Sequence, residues 1–222
     1  MVTGDVNGNI LRALIDANAQ VTNPAIMHRA AEQCTPKVLQ ILVNAEARVN
    51  VLARDLEYNS LELGSPLQAA CLIGKRENIN FLLEHGADTN LGGGRWENPL
   101  CAAIHQAGHQ PEDTDIIQLL FDHGANPNTP GILYQAVWQA CWNKSKPVEM
   151  ANIVRCILDA GANVNEQDQF GQTALYHAAF HGATDTVSLL LQRQADLTTG
   201  RSPLLAAVSQ NHVDIVRMLR ET

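Results

Sequence analysis

One short phrase recurs along the chain and constrains its fold more than any other feature. His85-Gly86-Ala87-Asp88-Thr89-Asn90 returns as His123-Gly124-Ala125-Asn126-Pro127-Asn128 and as Ala160-Gly161-Ala162-Asn163-Val164-Asn165. Worn copies stand at Glu46-Ala47-Arg48-Val49-Asn50 and Gln194-Ala195-Asp196-Leu197-Thr198, with a fainter one at Asn18-Ala19-Gln20-Val21-Thr22. Self-similarity at a period of this size means stacked supersecondary units, none of which buries its apolar face alone.

The residues before each phrase have helical apolar spacing. Ile79, Phe81, Leu82 and Leu83 precede the first, and Ile116, Ile117, Leu119 and Leu120 the second. The phrase ends that helix, with Gly taking the left-handed C-cap. Further upstream lies another helix start: Ser65-Pro66-Leu67-Gln68-Ala69-Ala70, Asn98-Pro99-Leu100-Cys101-Ala102-Ala103 and Ser202-Pro203-Leu204-Leu205-Ala206-Ala207. Thr173-Ala174-Leu175-Tyr176-His177-Ala178 lacks the Pro. A capping oxygen followed by Pro at the first helical position is a sound opening. Small alanines let neighbouring helices approach closely.

This order of elements resembles the ankyrin repeat. The resemblance implies an all-α solenoid of helix-turn-helix units joined by short hairpin fingers. It covers residues 1–222 as a single domain: a half repeat at 8–22, then repeats at about 23–50, 51–90, 91–128, 129–165, 166–198 and 199–222. It also implies an interaction scaffold whose fingers and first helices line a concave groove.

The spacing is uneven. The closing Ala falls at 47, 87, 125, 162 and 195, in steps of 40, 38, 37 and 33. Fourteen residues separate Asn50 from Ser65, where seven separate Asn90 from Asn98. That predicts one long finger, carrying Tyr58. Only Thr129 and Pro130 separate Asn128 from Gly131, so another finger is nearly deleted. The helix-to-helix turns at 107–113 and 141–147 are swollen. The groove positions of the irregular centre include His105, Trp138, Gln139, Phe180 and His181, with Arg95, Trp96 and Glu97 in the neighbouring finger and His177 one helical turn from His181. Clustered aromatics and Arg suit a binding surface.

Composition narrows the classes of function. The formal net charge is −8, and no Lys/Arg cluster suits phosphates, so nucleic acid and anionic membrane are not expected partners. No apolar run approaches a membrane span. Five scattered cysteines form no Cys-x-x-Cys pair, which favours free thiols in an intracellular, cytoplasmic setting. His177 and His181 have i,i+4 spacing but lack a third ligand, so no metal is expected. Gly92-Gly93-Gly94 follows no strand and opens no Lys-Ser/Thr pair, so it reads as a finger turn rather than a phosphate cradle. No cofactor motif and no catalytic elbow appears.

Two readings remain. The first is a non-enzymatic scaffold holding a protein or peptide in the concave groove, through Tyr58, Arg95, Trp96, Glu97, His105, Trp138, Gln139, His177, Phe180 and His181. The second is a small apolar ligand in a notch of the central repeats. That version extends to a cofactor-free isomerisation or cyclisation with His105, His181 and Glu97 as acid/base groups. Nothing in the sequence sets the oligomeric state.

Overall fold

A computed structural model of the chain describes residues 23–55, 61–107, 113–143 and 147–222. The half repeat at 8–22, Tyr58 of the long finger, and residues 108–112 and 144–146 of the swollen turns lie outside the described residues.

Helix starts follow the capping pattern. α1 (Pro24–Gln33) opens on Asn23, whose Oδ1 accepts the Ala25 N–H at 2.9 Å. α3 (Pro66–Ile73) opens on Ser65, in a capping box with Gln68. α5 (Pro99–Gln106) opens on Asn98, whose Oδ1 accepts the Cys101 N–H at 2.9 Å. α9 (Ala174–His181) and α11 (Pro203–Ser209) open on the hydroxyls of Thr173 and Ser202. Each cap satisfies an amide that helix geometry leaves unpaired.

α2 (Pro36–Asn44), α4 (Arg76–Glu84), α6 (Asp113–Asp122), α8 (Pro147–Asp159), α10 (Thr184–Gln192) and α12 (Val213–Glu221) are the second helices of the pairs. Where the phrase closes one of them, its letters have separate duties. The Ala amide folds back to the last helical turn, as in Ala87 N–H to Leu82 O at 2.9 Å and Ala195 N–H to Leu190 O at 3.0 Å. The Asp or Asn oxygen accepts the amide two residues on, at 2.8 Å for Asn90 and 2.7 Å for Thr198. The final Asn crosses to the next copy. Asn50 donates to Gly86 O and accepts the Asp88 N–H, both at 2.8 Å. Asn90 donates to Gly124 O at 2.8 Å. Asn128 donates to Gly161 O at 3.3 Å and accepts the Asn163 N–H at 2.9 Å. Asn165 accepts the Asp196 N–H at 2.8 Å.

The chain divides into two compact units. In the first, residues up to Gln106 together with 122–125, α3 packs between α1 and α5, while α2 and α4 pack beside them. Ala31, Ala70 and Ala102 are fully buried, as are Leu39, Leu82 and Leu100. β1 (Ala53–Asp55) and β2 (Leu61–Gly64) form an antiparallel hairpin before α3. The long finger expected there is this two-stranded ribbon.

In the second unit, residues 107–121 and 126–222, α9 packs between α7 (Ile132–Trp142) and α11. α10 packs between α8 and α12. Each unit is thus a stack of helical hairpins, and the fold is an all-α repeat solenoid with the one hairpin as its only strand pair among the described residues. The nearly deleted finger leaves α7 with Gly131 as N-cap and no capping side chain. Glu166, from the following finger, accepts the N–H of Gly131 itself at 3.1 Å. A carboxylate at a helix N-terminus also meets the positive end of its dipole.

The worn copies keep the left-handed backbone without glycine. Glu46 has φ 64° and Gln194 φ 62°, beside 79° at Gly86. A residue with Cβ in that conformation costs about 1–2 kcal/mol, part of which glycine returns as unfolded-state entropy. Gln194→Gly is therefore expected to stabilise the chain by about 0.5–1 kcal/mol in urea unfolding. Asn50→Ala is expected to destabilise it by about 1 kcal/mol, because water can partly replace its two exposed hydrogen bonds.

Candidate functional site

Two surfaces carry the expected site residues, one in each unit. The first unit holds a cleft of about 800 Å³. Its walls are His28, Arg29 and Glu32 of α1, Gln68, Leu72 and Ile73 of α3, and Arg95, Trp96 and His105 of the next finger and α5. The finger is fixed from below. Gln68 is buried, and its Nε2 donates to Gly93 O at 2.9 Å and Trp96 O at 2.6 Å. Gly93 packs so tightly on Leu52 that a Cβ there would approach Leu52 Cδ2 to 2.8 Å. The triple glycine is thus a close-packed finger turn. Trp96 stacks on His105 at 4.0 Å between ring centres, with the Arg95 guanidinium 5.4 Å over the indole.

The second unit carries a continuous aromatic surface. On α7, Trp138 lies 5.4 Å from Trp142 and 6.1 Å from Tyr134. On α9, His181 meets Trp138 edge-on at 5.3 Å and Phe180 at 5.1 Å, while Tyr176 stacks on Phe180 at 6.2 Å. Trp138 is 38% exposed and Trp142 63%. Gln139 sits half-buried beside them.

The expected residues therefore fall into separate groups. Arg95, Trp96 and His105 share the cleft. Glu97 is exposed in the same finger, does not line the cleft, and accepts the Gly93 N–H through its carbonyl at 3.3 Å. Trp138, Phe180 and His181 share the aromatic surface. The acid/base trio is thus divided, with His105 and Glu97 in the first unit and His181 in the second.

His177 has another environment. It is 7% exposed, its Nε2 lies 3.0 Å from Asp168 Oδ2, and the Tyr134 and Tyr176 rings flank it. Asp168 Oδ1 accepts the amides of Phe170 at 2.8 Å and Gln172 at 2.9 Å. Burial works against its charge, yet hydrogen bonds from the Gln172 amide, His177 and the Phe170 amide prevail and hold the carboxyl below its usual range. The pair ties a finger to a helix. Burial pushes the Cys101 thiol up to about 11, which leaves it a packing residue at neutral pH.

Sequence reasoning left out Arg29, Gln68 and Tyr134 as site residues. The signal for Gln68 and Tyr134 was positional, because both stand at the third residue of a first helix, the place that Tyr176 takes in the next repeat. Arg29 carries no such mark, since only folding brings α1 beside the finger at 92–97.

A family profile described as ankyrin repeats (3 copies) matches residues 27–131 and 137–222. Ankyrin repeat and SOCS box protein 6 of Homo sapiens is 28% identical over 180 residues, covering 70% of this chain and 38% of that protein. The B-cell lymphoma 3 protein homolog of Mus musculus is 32% identical over 195 residues, covering 86% and 34%. The chain thus spans well under half the length of these relatives. Among solved structures, the human ASB11 ankyrin repeat domain aligns with TM-score 0.67 and 25% identity over 88% of this chain and 82% of that one. The ankyrin repeat domain of Bcl-3 aligns with TM-score 0.71 and 22% identity over 94% and 91%, a likeness of fold alone.

The Asp168 geometry predicts an acid response. A carboxylate whose folded pKa lies below its unfolded value stabilises the fold above about pH 4 and loses that contribution as pH falls through the folded pKa. Asp196, held at about 2 by hydrogen bonds from the Thr199 hydroxyl and from the Thr198 amide and hydroxyl, acts in the same direction. Asp168→Ala is expected to cost about 2 kcal/mol at pH 7, through the unpaired finger amides and His177. Melting temperatures between pH 5 and pH 2 should then fall less steeply in the variant than in the parent chain.

Proposed function

The chain belongs to the ankyrin-repeat family, whose arrays generally serve as protein–protein interaction modules, and from that premise we propose that it is a non-enzymatic protein-binding module. Its partner would be held on the face formed by the fingers and the first helices. The observation that carries this reading is the exposed aromatic surface of α7 and α9. Trp138 and Trp142 leave large apolar area in water beside His181 and Phe180, and such area is recovered when a partner covers it. The five cysteines form no disulfide, which supports an intracellular setting. Among the described residues no helix is long and apolar enough to cross a membrane.

One observation favours a second reading. The cleft at Trp96 and His105 has the volume of a small-molecule site, which commonly spans about 300–1,000 Å³. A small apolar ligand stacked against Trp96 would fit that reading, with His105 the nearest acid/base group.

The test begins with the full chain immobilised in source-cell lysate and identification of the protein it retains. Affinity for that protein is then measured with Trp138→Ala and Trp142→Ala. Each is expected to weaken binding by about 2 kcal/mol, roughly 30-fold, as truncation of buried anchors does. Unchanged dissociation constants in both correctly folded variants would refute the assignment.

A further inference from the structure

We propose that the cleft of the first unit is a docking site for an extended acidic peptide segment carrying one large apolar side chain. The inference deepens the protein-binding reading above and rests on it.

The shape of the cleft points to an extended occupant. Its lining comes from three consecutive packed helices, α1, α3 and α5, and from the finger at 92–97. Helices packed about 8–10 Å apart give a trough about 20 Å long. Extended chain rises about 3.3 Å per residue, so the trough accommodates about six residues.

Charge decides the sign of the occupant. The chain as a whole is acidic, at −8. Among the described lining residues the balance is reversed, with the guanidiniums of Arg29 and Arg95 against one carboxylate, Glu32. α3 contributes no charged group to the lining. Glu32 lies 3.6 Å from the Arg29 guanidinium, and 53% of the Arg29 side chain is exposed. Planar guanidiniums favour carboxylates with two parallel hydrogen bonds. α3, packed between α1 and α5, contributes Ala69, Leu72 and Ile73 to the lining, with Ile73 41% exposed. An apolar side chain seated there lies between carboxylates aimed at Arg29 and Arg95.

The wall is set before binding. Gln68 pins the carbonyls of Gly93 and Trp96, and Trp96 is held against His105. A preformed wall lowers the ordering cost of association.

Displayed random heptapeptides are selected on the full chain, and the enriched sequences are measured by fluorescence anisotropy. The expected result is Asp or Glu flanking Leu, Ile, Phe or Met. Affinity should fall at least tenfold in Arg29→Glu/Arg95→Glu, and also between 50 and 500 mM salt. Arg29→Ala/Arg95→Ala, with an unchanged melting temperature, should weaken binding in the same direction. Arg220→Glu, a charge reversal at an exposed position of α12 in the second unit, should leave it within twofold. Failure to enrich any peptide family, enrichment of basic or uncharged peptides, or affinities insensitive to both arginine variants would overturn the proposal. So would native mass spectrometry showing a small molecule retained by the full chain and lost on Trp96→Ala. Peptides that depend on Trp138 and Trp142 instead would remove this site while leaving the protein-binding reading intact. If no peptide is enriched and Trp138→Ala and Trp142→Ala leave partner affinity unchanged, both readings fall.

Discussion

The contact on which the repeat architecture turns is a single asparagine reaching from one hairpin to the next. Asn50 holds Gly86 O and the Asp88 amide, and Asn128 does the same for Gly161 and Asn163. An amide side chain suits this position because it donates and accepts at once. Its energy is small beside that of the core. A fully buried Leu such as Leu82 or Leu100 contributes about 2–3 kcal/mol, against about 1 kcal/mol for an exposed hydrogen-bonded contact. Apolar burial therefore provides stability, while the asparagine fixes register. It holds each copy at a set offset from its neighbour, so that the helices meet along matched apolar faces.

That division of labour explains what the amino-acid sequence disclosed. The phrase showed the architecture because every letter has a backbone duty that few residues can perform. Even where Glu46 and Gln194 replace glycine, the left-handed backbone persists, since the amide of the following Ala must still reach the preceding helix. The site was less legible. Trp96, Trp138 and Phe180 could be singled out as aromatics at groove positions. Their grouping could not, because it depends on which loops fold against which helices. Arg29 stands more than sixty residues from Arg95 in sequence yet lines the same cleft. His177 shows the reverse case. It has the spacing of a binding residue, but burial beside Asp168 makes it an anchor for a finger.

The departures from even spacing have identifiable effects. The long finger before α3 becomes a hairpin. At the nearly deleted finger before α7, Glu166 of the next repeat accepts the Gly131 amide. The surfaces offered to partners differ between the units: a cationic trough with an indole wall in the first, and an open aromatic face in the second. The trough is formed by first helices and a finger, and the aromatic face by the first helices α7 and α9, while the second helices bury their apolar faces beside them.

The central claim is that recognition occurs on the first helices and fingers of each unit. Hydrogen–deuterium exchange of the full chain, with and without its retained protein partner, tests it directly. The account predicts slowed exchange in the finger at 92–97 and in α1, α3, α5, α7 and α9, with little change in α2, α4, α8 and α10. Protection confined to the second helices would contradict it.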